Sequence, residues 1–279
     1  MTNLLILYPQ IQADATNYKT YTDDTAEDPN EYEFDLFRNS LKGERYQLWR
    51  SGYVASEHNA VYDLGNDGTD DITASCNFVV LSRLDYMAAS ATTIDFALQS
   101  SSDDSSYTDR HTITDLSSAT LTGVWGNDYV SVFADTSAFR YWRAHFPKTS
   151  GSDYQLVIGK IYFGSYFDMG RDPRWQISRL KEGDVSYTTS GGIEYTGRIQ
   201  HPMYEIKLMW EGVTDAVLAS FQSEIVAKRY NTPVFLYTQS FHDPLDGKQL
   251  IHCKLTEIET ENKYTDWNVV TCTFLEVLG

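Results

Sequence analysis

The sequence predicts an all-β protein, mainly β with one helix, arranged as sandwiches or barrels. Aromatic residues make up 14% of the 279 residues and hydrophobic residues 42%, with many Tyr and Thr, a composition typical of strands. Short alternating segments recur between turn clusters along most of the chain. Helical periodicity marks one segment alone. The length allows one large core or two of ordinary size.

The first part of the chain predicts short strands separated by polar turns. The clearest turn is the cluster Gly65–Asp71, because glycine, asparagine and aspartate favour the conformations that tight turns require. By contrast, Gln10–Glu33 is polar and acidic, which predicts a long surface segment. The predicted strands are Leu4–Leu7, Ser75–Arg83, Thr93–Gln99, Tyr129–Phe133, Tyr141–Phe146 and Leu156–Phe163.

A break at Phe167–Pro173 separates two β-rich blocks. Small, charged and proline residues interrupt the strand pattern there, as they do at domain boundaries. We therefore predict an N-terminal domain of residues 1–168 and a C-terminal domain of residues 169–279. The strands predicted in the second block are Trp175–Leu180, Val185–Thr188, Ile193–Ile199, Tyr204–Trp210, Val234–Ser240, Leu250–Glu257 and Asn268–Val277.

The predicted helix covers residues 214–230 of the second domain. Thr214 suits the N-cap because its hydroxyl can accept a hydrogen bond from a free backbone N–H of the first turn. Pro233 lies just beyond the end of the helix. Four apolar residues share one helix face, for which we predict a role in oligomerisation: Val217, Leu218, Phe221 and Ile225.

Charge and cysteine content exclude several classes of protein. A formal net charge of −17 makes DNA an unattractive ligand, so any DNA near the protein is expected to be a passing, repelled polyanion. Three cysteines without a CxxC motif suggest neither a disulfide framework nor a zinc site. The sequence shows no secretory signal and no apolar stretch long enough for a membrane span, which predicts a protein made in the cytosol.

The residues do not predict an enzyme or a cofactor. The six histidines are scattered, and neither a nucleophile elbow nor a phosphate-binding glycine loop is present. The turn beginning at Asp63 partly matches a calcium loop. However, position 3 of the loop is Gly65 where Asp or Asn is needed, and position 12 is Ala74 where Glu is needed. Whether an acidic loop holds a cation stays open.

Three residues are candidates for ligand binding, namely Trp49, Arg50 and Trp125. A tryptophan ring near a turn can stack on a sugar, although large aromatic side chains also fill the cores of β-sandwiches. For Trp142, which lies within a predicted strand, core packing is the favoured interpretation.

Several phrases in the first half resemble successive landmarks of discoidin-like, galactose-binding-like jelly rolls. They are Leu48–Ser51, Val61–Gly65, Phe96–Ser101, Arg140–Arg143 and Ile158–Gly164. The resemblance implies a jelly-roll β-sandwich over residues 1–168, with ligands bound by loops at one end. Members of that family bind sugars, lipids or proteins, so the resemblance predicts the fold but not the ligand.

The second half resembles the β–helix–β domain of tail-tube, distal-tail and tail-tip proteins of tailed bacteriophages. The pattern is a strand ending in Leu208–Val213, the helix, and then Thr232–Tyr237. The resemblance implies a C-terminal β-sandwich or split barrel that forms a hexameric, or alternatively trimeric, ring around the DNA channel. The expected partners are further copies, tail-tube and hub proteins and a host-surface glycan.

The function expected from both resemblances is that of a structural virion protein, assembled in the host cytoplasm, whose jelly roll points outward and aids host attachment. Two alternatives remain open. One is a carbohydrate-binding adhesion protein without a tail-ring role, and the other is an enzyme with a sugar-binding module.

Overall fold

Over the residues that it describes, the computed structural model is mainly β with one helical segment, which confirms the predicted fold class. The structure describes the following residues: 4–9, 18–22, 26–27, 49–50, 57–66, 69–82, 84–88, 93–116, 128–134, 136–150, 154–158, 160–179, 184–188, 194–198, 204–229, 233–238 and 250–276.

The chain divides into two compact units. Leu7–Tyr166 form one, called here the N-terminal unit, and Phe167–Leu278 together with Met1–Ile6 form the C-terminal unit. The first residues join the C-terminal unit because the strand that contains them lies beside one of its strands. The predicted domains, residues 1–168 and 169–279, stay a prediction about which segments fold independently.

The N-terminal unit is built from antiparallel strands. Its largest sheet has the order β10-β9-β12-β5-β2-β3, while β11-β6-β14 and β4-β13-β7 are further runs of neighbouring strands. In chain order, the strands up to the end of this unit are β1 Leu4–Pro9, β2 Tyr18–Thr22, β3 Ala26–Glu27, β4 Trp49–Arg50, β5 Glu57–Asp63, β6 Phe78–Ser82, β7 Asp85–Ala88, β8 Thr93–Ile94, β9 Phe96–Ser101, β10 Thr108–Ile113, β11 Tyr129–Val132, β12 Tyr141–Ser150, β13 Tyr154–Ile158 and β14 Lys160–Asp168; the first residues of β1 belong to the C-terminal unit.

The core of the N-terminal unit lies between the β5–β9–β12 sheet and the β6–β14 strands. Tyr62 of β5 meets Phe163 of β14 edge to face, with ring centroids 4.8 Å apart. Trp142 of β12 is fully buried against the same phenylalanine, so the prediction that it belongs to the core is confirmed. Such aromatic pairs add stability beyond their buried area, by about 0.5–1.5 kcal/mol each.

One part of the predicted surface segment is a strand instead. Tyr18–Thr22 pair with Tyr62–His58 of β5, so this stretch extends the large sheet. Its alternation of tyrosine and threonine fits a strand, but acidic and proline residues on both sides hide that signal in the sequence.

The C-terminal unit contains an antiparallel sheet of order β19-β20-β21-β18-β15 and a separate β16–β17 hairpin. Alternate residues of the central strands are buried, for example Ile206, Leu208 and Trp210 of β18. The strands are β15 Arg174–Arg179, β16 Asp184–Thr188, β17 Glu194–Arg198, β18 Tyr204–Val213, β19 Pro233–Thr238, β20 Leu250–Tyr264 and β21 Trp267–Glu276.

The helical segment begins with α1 (Asp215–Phe221), continues as a π-helical stretch (Gln222–Val226) and ends with α2 (Ala227–Arg229). Thr214 is the N-cap, as predicted, because its side chain accepts a hydrogen bond from the backbone N–H of Val217. The π-helical stretch is not visible in the sequence pattern, since it adds one residue to a turn without changing residue types.

Strand β20 is longer than predicted. The sequence places its end at Glu257, whereas the strand continues to Tyr264 and pairs with β21 along that length. The added residues are exposed and mostly polar, so they carry no hydrophobic alternation from which a strand could be predicted.

Candidate functional site

Two of the three predicted ligand-binding residues lie in the described part of the chain. Trp49 and Arg50 form β4, where they pair with Ile158 and Val157 of β13. Trp125 lies outside the described residues. Their role in binding stays a prediction.

The four helix residues predicted for oligomerisation divide into two pairs. Phe221 and Ile225 are fully buried, and the ring of Phe221 lies 5.6 Å from that of Phe167 in the same unit. These two side chains therefore pack inside their own chain. Val217 and Leu218 are partly exposed. An oligomerisation role of the helix stays a prediction.

The outward side of the large sheet in the N-terminal unit carries a row of polar residues, called here the polar row. It consists of Asp109 on β10, Gln99 on β9 and Arg143 on β12, which lie directly opposite one another across the strands. Their side chains share one face because side chains alternate along each strand and the neighbouring residue Trp142 points into the core.

The polar row is connected by hydrogen bonds through its central amide. Nε of Arg143 donates to Oε1 of Gln99 at 2.6 Å, and Nε2 of Gln99 donates to Oδ1 of Asp109 at 2.6 Å. The guanidinium of Arg143 also lies over the ring of Tyr107, 4.1 Å from its centroid. This combination of a hydrogen bond and a cation–π contact holds the guanidinium in place.

A second polar group lies on the same sheet face at the next outward position of β12. His145 Nδ1 is 2.6 Å from Asn59 Oδ1, and Asn59 Nδ2 donates to Glu57 Oε1 at 2.7 Å. His145 Nε2 is 3.7 Å from the other carboxylate oxygen of Glu57. Asn59 is buried, so this face is polar beneath the surface as well as on it.

Arg140 connects two of the phrases on which the jelly-roll resemblance rests. Its Nε and Nη2 donate to the two oxygens of Asp63, at 2.6 and 2.9 Å, and its Nη1 donates to Asp71 at 2.7 Å. These hydrogen bonds raise the pKa of the Arg140 guanidinium above its usual value. Asp63 also accepts the backbone N–H of Gly65, which has a positive φ of 83°. The pair thus holds the acidic turn against the start of β12.

The run of serine and aspartate after β9 is a local turn. Asp103 accepts hydrogen bonds from the backbone N–H groups of Ser105 and Ser106, and these bonds hold the pKa of its carboxyl well below the usual range. Within the residues that the structure describes, no group of three or more His, Cys, Asp or Glu side chains could hold a metal ion. In the same part of the chain, no helix is both long and apolar enough to cross a membrane.

The sheet of the C-terminal unit has two open edges, judged on the described strands. At one end, β15 pairs with β18 alone. At the other, β19 pairs with β20 only between Leu250 and Lys254, which leaves β20 beyond this point paired on one side. Open edges present unpaired backbone N–H and C=O groups that can pair with another strand.

The projecting half of β20 and the turn after it are exposed. Tyr264 is 74% exposed and Trp267 is 45% exposed. Glu257, Glu259 and Glu261 are exposed along the strand and lie on one face. Large exposed aromatic side chains on a projecting hairpin are typical of protein–protein contact.

Comparison with known proteins gives no family assignment. No family model matches the sequence, and no curated protein matches it. Among solved structures, the chain is similar to chitosan-binding module 1 of a chitosanase/glucanase from Paenibacillus sp. IK-5, with 17% identity, a TM-score of 0.34, and coverage of 55% of this chain and 98% of the module.

Two other solved structures show a similar likeness. One is CBM32-3 from a family 31 glycoside hydrolase of Clostridium perfringens, with 13% identity, a TM-score of 0.35, and coverage of 55% of this chain and 93% of the module. The other is a Ruminococcus gnavus fucosidase in complex with fucose, with 13% identity, a TM-score of 0.35, and coverage of 55% of this chain and 26% of the enzyme.

None of these three is a virus tail protein, so the tail resemblance stays a prediction. Two of the three are binding modules. At such TM-scores, function has to be inferred from this chain's own residues.

Proposed function

We propose that this chain is a structural subunit of a virus tail. Copies join head to tail into a ring around the DNA channel through their C-terminal units, and the N-terminal unit binds a host-surface glycan. The observation that supports this proposal is the pair of open, oppositely charged edges on one sheet, β15 and the projecting half of β20.

The strand directions suit a closed ring. Strands β15, β18, β21 and β20 are successively antiparallel, so β15 and β20 run in opposite directions within one copy. Rotation about an axis roughly along the strands preserves strand direction. The β20 edge of one copy would therefore meet the β15 edge of the next as an antiparallel pair, the commoner type of pairing.

The exposed charges on the two edges are mostly opposite in sign; within one copy, Arg174 is paired with Glu211, Glu259 with Lys207 and Glu261 with Lys263. The β20 edge carries Glu259 and Glu261, whose side chains are 68% and 70% exposed. The β15 edge begins with Arg174, whose side chain is 72% exposed. Within one copy, Arg174 and Glu259 lie in the same row across β18 and β21 and therefore on the same sheet face. In a ring, this face continues from copy to copy.

A ring of acidic copies is also suited to surround DNA. The formal net charge of −17 per chain would repel a polyanion that passes through the channel and so prevent adhesion. The expected further partners are tail-tube and hub proteins, and the expected location is the virion tail after assembly in the host cytoplasm. We propose no catalytic role.

Light scattering and negative-stain imaging of the full chain test this proposal. We expect rings of one fixed symmetry. In one charge-reversed variant, Glu257, Glu259 and Glu261 are replaced by Lys. In the other, Arg174 and the exposed Arg171, which lies just before β15, are replaced by Glu. Each variant alone should stay monomeric, because like charges then face each other at every edge pair.

A mixture of the two variants provides the matched control. Each mixed edge pair again joins opposite charges, so assembly should return with the two variants alternating around the ring. A wild-type chain that stays monomeric at high concentration while it binds glycan would instead favour the alternative, a carbohydrate-binding adhesion protein without a ring role. Assembly of both variants alone would also contradict the proposed edge contact.

A further inference from the structure

We propose that the polar row of the N-terminal unit is a binding site for a neutral sugar, with Arg143 as hydrogen-bond donor and Asp109 as acceptor. This inference deepens the glycan-binding part of the proposed function and is independent of the ring. The site lies on a sheet face and not on the end loops that the jelly-roll resemblance implies.

Arg143 is fixed in place yet keeps donors for a ligand. Its Nε is bound to Gln99, and the ring of Tyr107 lies below its guanidinium. Among the described residues, neither of its Nη atoms has a hydrogen-bond partner. Because the side chain is already ordered, a ligand that uses these N–H groups loses little affinity to side-chain immobilisation.

Asp109 is the acceptor at the other end of the polar row. Its Oδ1 accepts from Gln99 at 2.6 Å, while within the described part of the chain Oδ2 has no donor. The residue is exposed, whereas Gln99 is only 8% exposed. The buried amide therefore positions two charged groups, the half-buried Arg143 on one side of it and the exposed Asp109 on the other.

The cation and the carboxylate do not pair directly, although they lie in one row. A structural arginine normally neutralises a carboxylate, as Arg140 does with Asp63. Here Gln99 separates the two charged groups, because its amide oxygen accepts from Arg143 and its amide nitrogen donates to Asp109. This leaves a donor and an acceptor two strands apart, about 10 Å between strand axes. One or two sugar rings span such a distance.

The surroundings favour a neutral ligand over an anion. Tyr107, over whose ring the guanidinium of Arg143 lies, donates to Asp104, and Asp103 lies in the same turn, so this end of the polar row has carboxylates nearby. Their field opposes phosphate, sulfate and nucleic acid. A sugar carries both donors and acceptors without charge, and it matches a site of a few placed polar groups beside an aromatic ring.

The test uses the full chain on an array of neutral oligosaccharides ending in galactose, glucose or N-acetylglucosamine, with sialylated and sulfated glycans on the same array. We expect retention of at least one neutral glycan. Titration with that glycan should then show at least about tenfold weaker affinity for Arg143→Gln and for Asp109→Asn, the loss expected when a charged hydrogen bond is removed.

Arg110→Gln is the matched control. Arg110 also lies on β10 and over an aromatic ring, that of Phe139, but it donates to Ser100, whose neighbour across the strands is the core residue Trp142. This variant should bind like the wild type. Arg143→Lys keeps the charge without the planar donor set and should lose affinity as well.

Three results would overturn the site: no neutral glycan retained, preference for the sialylated or sulfated glycans, or unchanged affinity in both Arg143→Gln and Asp109→Asn. Equal unfolding midpoints of the variants show that any loss is local. Ring formation is measured on the same samples. A chain that binds glycan but forms no ring contradicts the ring proposal alone. A chain that forms rings but binds no glycan contradicts the sugar site alone.

Discussion

Replacement of Arg140 by Met should destabilise the N-terminal unit, because this arginine joins the acidic turn after β5 to the start of β12. Three donor groups of one guanidinium are used, two on Asp63 and one on Asp71. Methionine keeps most of the aliphatic volume and removes the charge. Asp63 then retains the backbone N–H of Gly65 as a donor.

The expected magnitude follows from the exposure of the pair. Fully exposed ion pairs contribute about 0–1 kcal/mol, whereas breaking a buried pair costs about 3–5 kcal/mol. The side chains of Arg140 and Asp63 are 23% and 29% exposed, which places them between these limits. With bidentate geometry, we expect a loss of about 1.5–3 kcal/mol in the free energy of unfolding.

A double-mutant cycle with Asp63→Asn, measured by urea unfolding, isolates the interaction. We expect a coupling energy of at least about 1 kcal/mol. The control cycle uses Arg174 and Glu211, whose side chains are 72% and 40% exposed and whose N···O distance is 3.4 Å. That pair should couple by less than about 0.5 kcal/mol. Equal coupling in both cycles would refute the reasoning.

Three further perturbations follow from single sites. Gly212→Ala should lower the free energy of unfolding by about 1–2 kcal/mol, because φ is +74° at this position. Gly170 has φ +71° and open space around it, so Gly170→Ala should show the cost of the backbone conformation alone. Unchanged stability in both variants would contradict the reasoning. Burial lowers the pKa of His111 below its ordinary value of about 6.5, so the unfolded state binds more protons than the folded state as the pH falls. The free energy of unfolding should therefore be highest above about pH 6.5 and decrease below it. In His111→Gln, the urea midpoint should depend less on pH. Burial raises the pKa of Cys272 to about 12 and also raises that of Cys253. An aromatic disulfide reagent should therefore modify these thiols only when the chain unfolds. Rapid reaction of the native chain would show that the thiols are accessible.

Features that depend on local sequence could be predicted. The N-cap at Thr214 needs only a hydroxyl before an amphipathic helix, and the burial of Trp142 follows from a large aromatic residue inside an alternating strand. The segments that contain Asp63 and Arg140 could be identified as features of the jelly-roll family. The hydrogen bond between the two residues could not be predicted, because they lie far apart in the chain.

Features that depend on strand register could not be predicted. Gln99, Asp109 and Arg143 form a row only because three strands align at these positions, and a shift by one residue would turn a side chain to the other face. Tyr141 and Arg143 lie on the same face of β12, because residues two apart in a strand point the same way.

If copies meet through their sheet edges as proposed, the two edges of the C-terminal unit that are open among the described strands also limit how they can meet. Two β20 edges would bring glutamates against glutamates, and two β15 edges would bring arginines against arginines, so both two-fold symmetric pairings are repulsive. Pairing of β20 with β15 would instead bring Glu259 and Glu261 to the edge that carries Arg174. Such a contact uses different surfaces on the two copies, and it must either close into a ring or continue as a filament. The charges that make the end of β20 hard to predict as a strand are therefore the same ones on which the proposed head-to-tail contact depends.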